Sequence, residues 1–257
     1  MRKGYAIARQ ASPTGSVIVE KFVKNDGVVV FYTFSNGKMY FSGLEDKYPV
    51  KYQKQGGGLF VFESKLTQEF RLHFDEKIAE MFQSIGIREG SVWIEVFHDG
   101  ENYYFNEVGF RYGGSVSIYP VDYFYQINQV AADIHYALTG ESCISEHTSL
   151  IRSTLPRKKY YCIYPVHINA GTISSISGLD KIAQLENIVY LATTKYLHDR
   201  IESSGSFSQV FALVHFVCNT TEECIQTIDR IHQMLVVFDE HGNNMVNRML
   251  DVGKIIF

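Results

Sequence analysis

The chain has 257 residues, 46% hydrophobic and 20% charged, a composition typical of a globular protein with one large domain or two small ones. The net charge is −4 and no lysine and arginine cluster stands out, which argues against nucleic acid or a membrane as the main partner. The four cysteines lack CxxC spacing, no apolar run could span a membrane, and no signal-peptide core follows the first residues, so we expect reduced thiols and a cytoplasmic location.

Strand signals dominate the first block of the chain, which we delimit as residues 1–155. An apolar, β-branched run predicts a strand over residues 17–23. A hairpin follows, in which residues 28–34 and 38–42 flank a turn at Asn36-Gly37. The hairpin indicates an antiparallel sheet.

Helical spacing of apolar residues marks two further segments of this block. It predicts one helix over residues 74–85 and a second over residues 122–138. Asp122 is the expected N-cap of the second helix, and Gly140 is its expected C-cap.

The second block, residues 156–257, also mixes strands with a helix. Apolar runs predict strands over residues 160–167, 171–176, 188–194 and 211–218. Thr220 is a good N-cap for a helix that extends to Leu235. Because strands and helices do not alternate regularly, we predict an α+β fold.

Two glutamates twelve residues apart, Glu95 and Glu107, lie in apolar runs joined by a turn that contains Asp99-Gly100. An antiparallel hairpin with these positions opposed would place both carboxylates on one face. Two close carboxylates repel unless a cation lies between them, and Mg²⁺ prefers oxygen ligands of this kind. Arg111, four residues after Glu107, suits an anionic phosphate or carboxylate.

A solvated position on an open sheet face is the alternative for both glutamates. Strict alternation, however, places Trp93 and Phe97 on the same face as Glu95. A glutamate among apolar neighbours needs a partner or a metal, so we favour a functional role.

Other candidate residues leave two explanations open. Asp46 and Lys47 could face a phosphate or form a surface ion pair. Gly113-Gly114-Ser115 could be a simple turn, or could let backbone N–H groups approach an anion. The histidines show no metal-ligand spacing and the serines no nucleophile elbow, so we predict no hydrolase triad.

The succession of Glu95, Glu107 and Arg111 resembles the magnesium-binding hairpin of the ATP-grasp superfamily, which includes biotin carboxylase, carbamoyl-phosphate synthetase and the L-amino-acid ligases. The resemblance implies ATP as the nucleotide, Mg²⁺ or Mn²⁺ held by the two glutamates, and acyl-phosphate chemistry stabilised by Arg111. The third metal position of this family is usually Asn and is Gly109 here, which resembles the amino-acid-ligase branch.

Residues 17–23 resemble the hinge strand of the same family. The resemblance implies that Glu20 and the backbone of Lys21 and Val23 bind adenine, with Phe22 in the same segment. An acidic residue usually follows this strand and holds the ribose hydroxyls, and Asp26 stands near that point.

The resemblance covers nearly the whole chain. Residues 1–155 resemble the C-terminal part of an ATP-grasp domain, an antiparallel sheet with helices, and residues 156–257 resemble the C-terminal α+β module of amino-acid ligases. Only 16 residues precede Val17, too few for the lysine-bearing strand and phosphate loop of the family. We therefore expect the C-terminal portion of an enzyme.

Two functions follow from this expectation. The first is part of an ATP-dependent carboxylate–amine ligase for a small carboxylate and an amine, completed by a separately encoded N-terminal half or by a homo-oligomer. The second is a truncated or degenerate scaffold that binds a partner subunit without catalysis.

Overall fold

The computed structural model describes residues 2–23, 27–50, 57–144, 159–203 and 207–257. Its helices are α1 (Arg2–Ala11), α2 (Thr67–Ser84), α3 (Ile118–Tyr125), α4 (Gln129–Thr139), α5 (Leu179–Ala183) and α6 (Thr221–Met234). Its strands are β1 (Val28–Ser35), β2 (Lys38–Pro49), β3 (Gly57–Phe62), β4 (Gly90–His98), β5 (Tyr103–Gly109), β6 (Tyr160–Ile168), β7 (Gly171–Ser177), β8 (Ile188–Thr193), β9 (Arg200–Ile201), β10 (Val210–Cys218), β11 (Val236–Asp239) and β12 (Val246–Asn247).

A nine-stranded antiparallel sheet organises the described chain, which confirms the α+β prediction. Eight strands follow the order β5-β4-β1-β2-β3-β6-β10-β8, and β12 pairs with β6 beside this path. A separate three-stranded sheet has the order β11-β7-β9. Because β3 pairs with β6, with Phe60 opposite Ile163, the large sheet continues from the first block into the second. The division at residues 155 and 156 stays a prediction.

Helices cover both faces of the first block's sheet. On one face, the Tyr32 hydroxyl donates to Asp75 of α2 at 2.8 Å, and the ring of Phe34 packs against Phe82 of the same helix. On the opposite face, the amide of Gln129 in α4 donates to the Thr33 hydroxyl at 2.8 Å. The second face is covered at the Thr33 end of β1, while the other end carries the glutamates.

A second hydrophobic cluster lies under α6. Its buried members include Val166 of β6, Val214 of β10 and Ile228 of α6. Thr220 caps α6 as predicted, because its side chain accepts a hydrogen bond from the backbone N–H of Glu223.

The hairpin of β1 and β2 and the four strands predicted in the second block are confirmed. The strand predicted over residues 17–23 is wrong, because these residues form no strand in the structure. Their apolar side chains do not enter a sheet: Ile18 is 84% exposed and Phe22 is 81% exposed. An apolar run is therefore not sufficient for a β-strand, which also needs a neighbouring strand to pair with.

The helix predictions require two corrections. Helix α2 begins seven residues earlier than the predicted residue 74, and it ends one residue before the predicted end. The helix predicted over residues 122–138 is two helices, because the left-handed conformation of Gln126 (φ 53°) ends α3. Asp122 lies inside α3, and Asn128 is the N-cap of α4; Gly140 is its C-cap as predicted.

Across the part of the chain that the structure describes, no helix combines the length and apolar character needed to span a bilayer.

Candidate functional site

A β-bulge sets the register of the hairpin that carries the two glutamates. Next to the turn, His98 pairs with Tyr103 and Val96 with Phe105, so simple counting would place Glu95 opposite Asn106. The register shifts between Glu95 and Val96, and Glu95 instead pairs with Glu107. Directly paired residues of an antiparallel ladder point to the same face. Glu95 and Glu107 therefore share one face of the sheet, as predicted.

Both carboxylate oxygens of Glu95 accept hydrogen bonds. The Lys47 ammonium lies 2.7 Å from Oε1, and the Asn106 amide donates to Oε2 at 2.7 Å. The side chain of Glu95 is 16% exposed and that of Lys47 is 27% exposed, so this ion pair is partly shielded from water. Of the two explanations for Lys47, an ion pair is what the structure contains. Glu107, in contrast, is exposed.

A third glutamate lies on the same row of the sheet. Val29 of β1 pairs with Glu95 on one side and with Glu45 of β2 on the other. Glu45 reaches this row because a bulge at Gly43 shifts the register of β1 and β2 by one residue, and without it Leu44 would stand there. Burial raises the pKa of Glu45 well above its usual range, and its Oε2 atom has no hydrogen-bond partner within the described residues.

The charges on this face leave one negative charge to be balanced. Burial raises the pKa of Glu45 and favours its neutral form, and Lys47 neutralises Glu95. The exposed carboxylate of Glu107 then remains beside the Glu95–Lys47 pair. This donor set fits one hard divalent cation, which the two opposed carboxylates could hold.

Trp93 occupies the space into which a side chain at residue 109 would project. Gly109 pairs with Trp93, and a Cβ atom at Gly109 would lie 2.1 Å from the indole Nε1. A side chain at residue 109 is therefore incompatible with the position of Trp93. The guanidinium of Arg111 lies over the same ring, 5.0 Å from its centroid, and donates to the Tyr112 carbonyl at 2.8 Å.

A cavity of about 740 Å³ lies mainly on the other face of the sheet, where Val28, Asp46 and the residues before α2 line it, and only Lys47 of the Glu95–Lys47 pair reaches it. Lys47, Lys65 and Lys254 contribute to its lining, together with Asp46 and Asp99. Both aspartates are already hydrogen-bonded: Asp46 accepts from Ser64, and Asp99 accepts from backbone N–H groups of its own turn. Within the described chain, neither Lys65 nor Lys254 forms an ion pair. The cavity therefore presents ammonium groups suited to an anionic ligand.

The residues expected to bind adenine lie in the exposed segment before β1, which forms neither a helix nor a strand. Glu20, Lys21 and Phe22 are exposed, and Val23 is half-buried. The Lys21 ammonium lies 5.8 Å from the centroid of the Tyr104 ring on β5, so this segment passes next to the hairpin with the glutamates. Asp26 lies outside the described residues.

Sequence reasoning missed Glu45, Lys65 and Lys254. Glu45 could have been found only by anticipating the bulge at Gly43, for which a glycine inside a strand is the available signal. Lys254 is distant in the chain, and no local pattern connects it to the cavity.

No protein-family profile matches the sequence, and no curated protein matches it significantly. Solved structures do match the fold. An L-amino acid ligase from Bacillus licheniformis superimposes with a TM-score of 0.72 at 20% identity, covering 93% of this chain and 59% of that one. A phosphoribosylglycinamide synthetase from Anaerococcus prevotii has a TM-score of 0.70 at 13% identity, covering 93% and 60%.

A third similar structure is the biotin carboxylase domain of the 2-oxoglutarate carboxylase from Hydrogenobacter thermophilus, described in complex with MgADP, ADP and bicarbonate. Its TM-score is 0.70 at 15% identity, covering 96% of this chain and 52% of that one. The chain thus shares its fold with these three structures over more than nine tenths of its length, and it spans between half and three fifths of the length of these neighbours.

Proposed function

We propose that the chain is the metal-binding portion of an ATP-dependent carboxylate–amine ligase. The observation that carries the proposal is the opposed pair of Glu95 and Glu107 on one sheet face, with the Lys47 ammonium next to Glu95. Carboxylates for a divalent cation and ammonium groups for phosphate are the two requirements of a nucleotide triphosphate site. The fold of the ATP-grasp neighbours supports the same class.

Glu95 and Glu107 would hold one Mg²⁺, or Mn²⁺ in its place. The bound ion would neutralise the phosphate charge of ATP. Gly109 has no side chain that could bind a second metal ion. The Lys47 ammonium would supply positive charge in place of that ion. Lys47 would move from Glu95 toward the phosphate groups when the metal binds.

Arg111 would stabilise the charge that develops during phosphoryl transfer to the carboxylate substrate, which gives an acyl phosphate. An amine would then attack the acyl carbon, and phosphate would leave. Glu20, Lys21, Phe22, Val23 and Asp26 would contact the adenosine part of the nucleotide. The rest of such an enzyme would come from a further segment, either separately encoded or from a second copy of the chain, and the location would be cytoplasmic.

A second candidate function is a scaffold that binds a partner without catalysis. Two observations favour it: Trp93 fills the space into which a side chain at residue 109 would project, and both oxygens of Glu95 are already hydrogen-bonded. A neighbouring reading frame that encodes a lysine-bearing strand and phosphate loop would favour the enzyme, and its absence would favour the scaffold.

Calorimetric titration with ATP and Mg²⁺ tests the ligase proposal, with the chain alone and with a candidate N-terminal half. We expect binding that requires Mg²⁺, and a loss of at least about tenfold in affinity in Glu107→Ala, because one of two metal ligands is removed. Glu101→Ala is the matched control, since Glu101 is an exposed acid in the turn of the same hairpin. Absence of heat in every combination, or equal affinity of Glu107→Ala and the unaltered chain, would contradict the proposal.

A further inference from the structure

Three cysteines from three different elements meet in the second hydrophobic cluster. Cys162 lies on β6, Cys218 ends β10, and Cys224 lies near the start of α6. The Cys162 sulfur is 3.6 Å from that of Cys218 and 3.9 Å from that of Cys224, and all three sulfurs lie within 4.8 Å of one another. All three thiols are buried and free of disulfide bonds.

Sheet register and helix docking bring these thiols together. Cys162 pairs with Phe216, and Cys218 is two residues further along the same strand, so both point to one face of the sheet. Helix α6 lies over that face, and its residue Cys224 is fully buried against it. The three sulfurs are thus fixed by the core rather than by a flexible loop.

The spacing of the sulfurs matches that of thiolates around a single metal ion. A Zn–S bond of about 2.3 Å in a tetrahedral site separates neighbouring sulfurs by about 3.8 Å. The two measured separations bracket this value. Little movement of the core would be needed to place an ion at the centre of the three sulfurs.

A cavity next to Cys218 gives solvent access to the thiols and carries charged side chains. Cys218 lines a cavity of about 380 Å³ that Lys159 and Arg230 also line, together with the acids Glu186 and Glu223. A solvent molecule can approach from this side.

We propose that Cys162, Cys218 and Cys224 form a binding site for a thiophilic d¹⁰ metal ion, with Zn²⁺ bound by three thiolates and one solvent molecule from the cavity. Each thiol that ionises on binding releases its proton to solvent. The resulting complex carries one negative charge, which the nearby start of α6 and the ammonium and guanidinium groups of the cavity help to balance. This site is independent of the proposed ligase function.

The first test is metal loading of the full chain, expressed in zinc-supplemented medium so that the ion is present while the core forms. We expect one zinc per chain after removal of loosely bound metal, and release of protons when zinc is added to reduced apoprotein. Cobalt substitution should give the thiolate-to-metal charge-transfer absorption of a tetrahedral sulfur site. A parallel titration with Cu⁺ under anaerobic conditions distinguishes the two d¹⁰ ions, and stronger loading by Cu⁺ alone would overturn the choice of zinc.

Variants locate the bound ion. Cys218→Ala removes one thiol at the end of a strand, and Cys143→Ala is the matched control because Cys143 is exposed and outside the group. Loss of an outer-shell partner already weakens metal affinity by about 10- to 100-fold, so loss of a sulfur ligand should weaken it by at least about 100-fold. The control should bind zinc as the unaltered chain does.

Three results would overturn the proposal. These are absence of stoichiometric metal in the reduced chain, zinc binding that Cys218→Ala leaves unchanged, and a cobalt spectrum without thiolate charge transfer. Because the cobalt spectrum is recorded on the unaltered chain, a variant that fails to fold does not remove the test.

Discussion

Glu45 makes a quantitative prediction about the pH dependence of stability. The residue is 2% exposed, and its Oε2 atom has no hydrogen-bond partner in the described residues. In Glu45→Gln the side chain keeps its shape and carries no ionisable group. We predict that this variant is more stable than the unaltered chain at pH 7, and that its advantage disappears near pH 4.5.

The sign follows from the raised pKa of Glu45. Above its ordinary value of 4.5, the carboxyl group loses its proton in the unfolded chain and keeps it in the folded one. The unfolded state then binds fewer protons, so the free energy of unfolding falls as pH rises, until the folded pKa is passed. Glutamine has no such dependence.

Between the unfolded and the folded pKa of Glu45, the free energy of unfolding falls by at most about 1.4 kcal/mol for each pH unit. The fall between pH 5 and pH 7 is therefore at most about 2.7 kcal/mol. The nearby charge of Lys47 lowers the pKa of Glu45 and reduces this upper limit. Urea denaturation at a series of pH values measures the difference between the two proteins. Glu80→Gln, which removes an exposed carboxylate from α2, should have the same slope as the unaltered chain. A difference between Glu45→Gln and the unaltered chain that stays constant from pH 5 to pH 7 would refute the reasoning.

Three further predictions concern packing, capping and titration. Gly109→Ala should lower the free energy of unfolding by about 1–3 kcal/mol, because its Cβ would overlap the indole of Trp93, and replacing Trp93 by leucine in the same chain should recover part of the loss in a thermal melt. Thr220→Ala should cost about 1 kcal/mol in urea denaturation, since the backbone N–H of Glu223 loses its acceptor, whereas Thr220→Ser should cost much less. Burial lowers the pKa of His215 to about 3, so folding excludes a proton that the unfolded chain binds below pH 6.5. From pH 6.5 toward pH 3, the free energy of unfolding should therefore fall less steeply in His215→Gln than in the unaltered chain. Equal slopes for the two proteins in urea denaturation would contradict this.

The sequence was sufficient for features that depend on local patterns. The turn at Asn36-Gly37 marked the hairpin of β1 and β2, and a side-chain oxygen three residues before Glu223 marked the start of α6. These features need only neighbouring residues, because a tight turn and a helix cap are properties of a few consecutive positions. The same locality explains the error at residues 17–23, where a strand-like run has no partner strand in the described structure.

The spacing of Glu95 and Glu107 suggested the site, but two bulges decided its composition. The bulge at Asn106 aligns the two glutamates, and the bulge at Gly43 turns Glu45 rather than Leu44 toward them. A bulge inserts one residue into a period of two and therefore exchanges the faces of all residues beyond it. Counting along the chain cannot anticipate this exchange.

Sequence alone thus determined the hairpin of β1 and β2, four strands of the second block and the start of α6, and it pointed to Glu95 and Glu107 in the first block. Only the tertiary structure decided that Lys47 neutralises Glu95, that Trp93 excludes a side chain at residue 109, and that three distant cysteines share one core. The physical reason is distance along the chain. Ion pairs, ring packing and thiol clusters join residues that meet only when the sheet register and the docking of α6 are fixed, and no local periodicity records those arrangements.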